Sequence, residues 1–177
     1  MFEYLKPYLD LPQEKTYGSS NSFYSLKKNE ILDCEKYLGY TLPPQLKQFY
    51  QEIGYGFLTS PHECREGYQF YNTNRINPPD LMVEMLEHGQ ESGLISEGAF
   101  ELLQPGDIPF FEIGDSSSFL KMKALSDNPN AVWDVDDYDP IKIADSLEEF
   151  IYKLYYEDPG YYGKIYSAHL AKQNSKE

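Results

Sequence analysis

Residues 28–56 read KNEILDCEKYLGYTLPPQLKQFYQEIGYG, and their periodicity decides how the chain begins its core. Ile31, Cys34, Glu35 and Leu38 recur at i, i+3, i+4 and i+7, one face of a helix with a single polar exception. Asn29 is placed as the N-cap of that helix, and Gly39 as the glycine that closes it. Pro43 and Pro44 cannot continue the helix, but a proline loses nothing at the first position of the next one, where its missing N–H would be unpaired anyway. A second helix is predicted over 44–53, with Leu46, Phe49, Tyr50 and Ile53 as its apolar stripe and Gly54-Tyr55-Gly56 as its stop.

Working outward, the pattern changes period. Residues 57–76 break into short aromatic, strand-like pieces, of which Gly67-Tyr68-Gln69-Phe70-Tyr71 is the best. Asn77-Pro78-Pro79-Asp80 is a turn that launches a helix over 79–88, lined by Leu81, Met82, Met85 and Leu86, and a shorter helix is predicted over 96–103. Residues 107–144 read as sheet, with strands at 108–113, 119–124, 131–135 and 141–144. In the second of these, Phe119, Lys121 and Lys123 alternate with Leu120, Met122 and Ala124. Asp145-Ser146 offers a cap to a helix over 146–157, whose stripe is Leu147, Phe150, Ile151, Leu154 and Tyr155. Glu148 and Glu149 in its first turn suit the helix dipole. At the ends, residues 1–11 suggest a short helix through Phe2, Leu5 and Tyr8, residues 12–22 a loop, and 158–177 an extension with one more helix through Ile165 and Leu170. Helices first, strands in the middle and a helix after them predict an α+β fold, one domain over 1–177, with helices packed on a mixed or mostly antiparallel sheet.

The totals narrow the function classes. The chain has 177 residues and a net charge of −14. Residues 57–104 hold 8 acids against 2 bases and residues 105–158 hold 13 against 4, so the negative charge lies in the middle and later parts. Such a surface repels nucleic acid and anionic membranes and speeds encounter with basic partners. Seventeen tyrosines add rings that pack while their hydroxyls stay wet, a property of interfaces that would also allow self-association. Met1 to Lys6 carries no signal-peptide pattern, and no window approaches the ~20 apolar residues of a membrane span. The expected location is therefore the cytoplasm, with reduced thiols.

Known chemistries find little purchase. Cys34 belongs to an apolar helix face, and His62-Glu63-Cys64 has no second cluster to complete a four-ligand zinc site. No phosphate-cradling loop is present. Gly114-Asp115-Ser116-Ser117-Ser118 lacks the frame of a nucleophile elbow. His62, His88 and His169 lie far apart, none beside a plausible nucleophile. The sharpest local feature is Asp134, Asp136, Asp137 and Asp139 around Tyr138. As a calcium loop counted from Asp134 it misses at positions 5, 6 and 12. A glycosidase-like carboxylate pair would need a sugar site that sequence cannot show. The remaining readings are a solvated turn between two strands, or an exposed turn that receives Lys or Arg from a partner. No catalytic, metal or cofactor residue is assigned, and a basic patch for nucleic acid is lacking.

Several signatures then fall in order: Glu30-Ile31, Glu35, Leu38-Gly39, Leu42-Pro43, Leu46, Phe49, Tyr50 and Gly54-Tyr55-Gly56, followed by Ile108-Pro109-Phe110, Gly114-Asp115, Val132-Trp133 and Ile143 through Phe150. Over about residues 28–155 the series resembles the SUKH superfamily, in the branch related to a fungal cell-wall-synthesis regulator. The resemblance implies helices packed against a mixed sheet. It also implies a role as an immunity protein, a non-enzymatic binder that silences a cognate toxin, often a basic nuclease. Asp115, Asp134, Asp136, Asp137, Tyr138 and Asp139 are the expected partner contacts. Two other classes stay open: a housekeeping or regulatory scaffold binding an endogenous protein, and an enzyme working through buried carboxylates. Gly54-Tyr55-Gly56 departs from the family's more usual ending of the second helix, and the aromatic tail 158–170 lies outside its pattern.

Overall fold

The first two helices form where the periodicity places them: α1 spans Lys28–Leu38 and α2 spans Pro44–Glu52. They belong to a computed structural model that describes residues 1–12, 21–58, 74–114, 118–135 and 140–174. The start of α1 differs from expectation. Its N-cap is Lys27 rather than Asn29, because the Glu30 carboxylate folds back to accept the Lys27 N–H at 2.6 Å, which satisfies a free donor and places a negative charge at the positive helix end. Gly39 closes the helix at φ 77°. The polar exception in the α1 stripe also has a cause. Glu35 accepts the Leu42 N–H at 3.0 Å and the Lys47 ammonium at 2.8 Å, tying the α1–α2 connection to both helices.

Among the described residues seven strands follow one another as an antiparallel meander: β1 Asn21–Tyr24, β2 Tyr55–Leu58, β3 Asn74–Ile76, β4 Asp107–Glu112, β5 Phe119–Lys123, β6 Val132–Asp134 and β7 Lys142–Ala144. Every pairing is antiparallel and joins consecutive strands, the more antiparallel of the expected arrangements. β1 occupies the end of the stretch read as loop. It docks where α2 stops, with Phe23 opposite Gly56 and Tyr24 opposite Tyr55. Gly54 and Gly56 are required there: a Cβ would stand 1.9 Å from the Tyr24 carbonyl oxygen and 2.2 Å from that of Ser22. The unusual glycines thus end a helix and admit an edge strand at once. Gly67 to Tyr71, the expected best strand, lies outside the described residues.

The remaining helices are α3 Pro79–His88, α4 Glu97–Glu101, α5 Leu147–Tyr156 and α6 Tyr161–Asn174, and a 3₁₀ turn runs over Glu3–Tyr8. They divide between the two sheet faces. On one, Leu120, Met122 and Val132 join Phe49, Phe150, Ile151 and Leu154 in the main core. A register shift between Ile108 and Phe111 lets adjacent Phe110 and Phe111 both enter that core. On the other, Phe119 and Val135 pack with Met85, Ile95 and Ala99 beneath α3 and α4.

Residues near both ends of the described chain join the core. Phe2 and Leu5 are fully buried, and the Phe2 ring meets Phe49 edge-on at 4.9 Å. At the other end Tyr161 packs on Phe150 at 5.8 Å. The Tyr162 hydroxyl donates to Asn74 at 2.8 Å, and the Asn74 amide donates to the Pro159 carbonyl at 2.8 Å. The aromatic extension is thereby fastened to β3 and the main core.

Candidate partner-binding surface

Of the six expected contacts, one lies among the described residues. Asp134 is the last residue of β6 and is 7% exposed. Its backbone N–H donates to the Ile141 carbonyl at 2.9 Å, and its carboxylate accepts the Val135 N–H at 2.6 Å. This corrects the sequence reading for that residue: strand pairing takes Asp134 into the sheet, so its carboxylate is not offered to a partner. Asp115, Asp136, Asp137, Tyr138 and Asp139 lie outside the described residues.

A second acidic surface comes from helix geometry. α3 turns Met82 and Met85 inward and leaves Asp80, Glu84 and Glu87 exposed at i, i+4 and i+7; Glu91 continues the spacing just past its end. Glu97 and Glu101 are exposed on α4, and no Lys or Arg occurs between Ile76 and Gly106. From α1, the exposed Tyr37 hydroxyl donates to Glu87; that bond is the main reason the hydroxyl titrates above its usual range. The His88 ring nitrogens stand 3.9 Å from Glu87 and Glu91. Like charges one turn apart cost a helix about 0.2–0.5 kcal/mol per pair, so the stripe does not exist for the sake of the helix. The uneven charge distribution was the signal in the sequence; only the helical register turns it into a line.

Other reactive groups are spent on structure. Asp107 and Lys121, each 3% exposed at the side chain, form an ion pair at 2.6 Å, and Asp107 also accepts the Gln104 N–H at 3.0 Å. The Cys34 thiol is pushed up to about 11, chiefly by burial and then by Glu35 and Asp80, which keeps it protonated and unreactive. His62 and Cys64 lie outside the described residues, and among those described no three His, Cys, Asp or Glu side chains converge as metal ligands. No described helix is long and apolar enough to cross a membrane.

A seven-stranded meander between two helical layers, one of them faced with carboxylates, defines the class: an α+β domain with an acidic helical surface. The chain belongs to the SMI1 / KNR4 family (SUKH-1), which matches residues 25–153. It is also 32% identical over 150 residues to a Bacillus subtilis (strain 168) protein named immunity protein YxxD, covering 81% of this chain and 90% of that one. The 3₁₀ turn at Glu3–Tyr8 and helix α6 lie beyond the family match.

Proposed function

We propose that the protein neutralises a cognate toxin in the cytoplasm by binding it directly, without chemistry of its own, and that the toxin domain is basic and cleaves nucleic acid. The observation that carries this reading is the α3 carboxylate stripe, uninterrupted by Lys or Arg, in a chain whose relative is named an immunity protein. A nuclease must present cations to phosphate, and a line of carboxylates competes for the same cations. Asp115, Asp136, Asp137, Tyr138 and Asp139 are proposed as further contacts. Asp134 is withdrawn from the set because the sheet buries it.

The test has two stages. Toxin-like proteins encoded beside this chain are expressed with and without it, and growth is scored. The partner that loses toxicity is then purified and its association measured from low to high salt. Steering of this kind accelerates association by ~10-fold or more, so the triple variant Glu84→Lys, Glu87→Lys, Glu91→Lys should slow low-salt association at least tenfold. Unchanged low-salt association would remove the α3 surface from the interface, and an absence of protection from every neighbouring toxin would remove the immunity role.

A further inference from the structure

One face of α5 carries a different surface. Five tyrosines from two elements meet there. Tyr4 lies 5.1 Å from Tyr155 and 5.3 Å from Tyr156. Tyr156 meets Tyr155 edge-on at 4.6 Å and tilts against Tyr152 at 4.7 Å. Tyr8 shares a hydroxyl–hydroxyl hydrogen bond of 3.1 Å with Tyr155. The rings rest on fixed ground, since Phe2 and Leu5 anchor the 3₁₀ turn while Phe150, Ile151 and Leu154 anchor α5, all fully buried.

Packing does not account for the outer two rings. Tyr152 and Tyr156 remain 49% and 46% exposed, one helical turn apart, and Tyr is a poorer helix former than Ala, Lys or Glu at such positions. Glu148, exposed and one turn before Tyr152, completes the line at i, i+4 and i+8. Its negative charge reaches the cluster: together with burial, which is the larger cause, and Tyr156, it holds the Tyr4 hydroxyl far above its usual range. The Tyr155 hydroxyl is pushed up to about 12, first by burial and then by Tyr8. Tyr4 and Tyr155 therefore stay neutral at physiological pH, and a tyrosine ring is electron-rich on its face. The lysines of the same two elements are committed elsewhere, Lys6 to Glu3 at 2.7 Å and Lys153 to Glu149 at 2.6 Å.

Rigid half-exposed aromatic faces beside an exposed carboxylate form the receptor for a desolvated cation, and arginine above all, whose flat guanidinium stacks on a ring while it pairs with a carboxylate. Self-association through the same face would bring two chains of −14 together, which favours a partner of opposite sign. We propose that the tyrosine face of α5 and the N-terminal turn docks an arginine-bearing segment of a basic protein partner, with the cation on the rings of Tyr152 and Tyr156 and Glu148 as its counter-ion. The identity of that partner rests on the immunity reading above; the chemistry of the surface does not.

The probe is a hexaarginine peptide, with hexaglutamate as control, titrated into the full chain at near-physiological salt. Amide resonances of 148–157 and of 80–91 are followed separately. Saturable shifts are expected at 148–157. Tyr152→Ala with Tyr156→Ala should weaken that site about tenfold, the loss of two cation–ring contacts, while the two Phe substitutions should retain it and Glu148→Gln should weaken it several-fold. Shifts confined to 80–91, or an Ala pair that binds like the parent, would overturn the proposal. A toxin inhibited equally well by the parent and the Ala pair would overturn this interface while leaving the immunity role standing. Protection from no toxin would remove that role, with the peptide titration still deciding the surface.

Discussion

The two faces of β5 solve one burial problem by opposite means. Leu120 and Met122 enter the main core among apolar neighbours. Phe119 enters the smaller cluster under α3 and α4, and Lys121 is as buried as its apolar neighbours, held by Asp107 of β4. The alternation of apolar and charged residues marks the faces correctly, but the charged face is not the wet one. A lysine on a strand signals water only when nothing covers it, and here Lys121 donates to the Leu102 carbonyl while Gln104 donates to its partner Asp107. The apolar face is held by dispersion and transfer from water. The other is held partly by an ion pair whose desolvation cost offsets most of its attraction.

The apolar face should give the largest effect when broken. Phe111 is fully buried and meets Phe150 edge-on at 4.9 Å. Phe111→Ala should cost about 3–5 kcal/mol, read as a fall in the denaturant midpoint with little change in slope. A loss near 1 kcal/mol would mean that the face collapses around the cavity and is not tightly packed. The ion-paired face sharpens the contrast. Lys121→Met alone should cost about 3 kcal/mol, since it strands the Asp107 carboxylate away from water. Adding Asp107→Leu should return stability to within about 1 kcal/mol of the parent, the residue being the Gln104 N–H left without its acceptor. If the double variant is as unstable as the single, the pair is worth more than its desolvation and the two faces are not equivalent.

That contrast also separates what the sequence disclosed from what it withheld. Helices α1, α2, α3 and α5 were legible because their apolar stripes repeat every turn and prolines or glycines punctuate them. Pro44, Gly39 and the Ser146 cap, which accepts the Glu149 N–H at 3.1 Å, stand where the local rules put them. β1 was hidden because Asn21 and Ser22 are polar and the strand follows a Gly-Ser run; it becomes a strand only through the docking surface that Gly54 and Gly56 open. Asp134 falls in the strand expected over 131–135, paired with Leu120; what the sequence did not disclose is that the same strand buries its side chain. The α3 stripe was present as a charge excess but not as a surface, because it needs the helix register and the burial of Met82 and Met85 on the opposite side.

The smallest effect concerns that stripe, and its sign is the informative part. Glu84 has Asp80 four residues before it and Glu87 three after, both exposed and both repulsive. Glu84→Lys converts two like-charge pairs into two attractive ones. At about 0.2–0.5 kcal/mol for each repulsion removed and a similar amount for each attraction gained, stability should rise by roughly 0.8–2 kcal/mol at low salt, and the gain should shrink as salt is added. A rise here would identify the acidic surface as one kept at the expense of the fold. The same variant should associate more slowly with a basic partner. A lowered midpoint, or a gain that persists at high salt, would show that Glu84 serves a local structural contact, and the stripe would then have to be explained by folding after all.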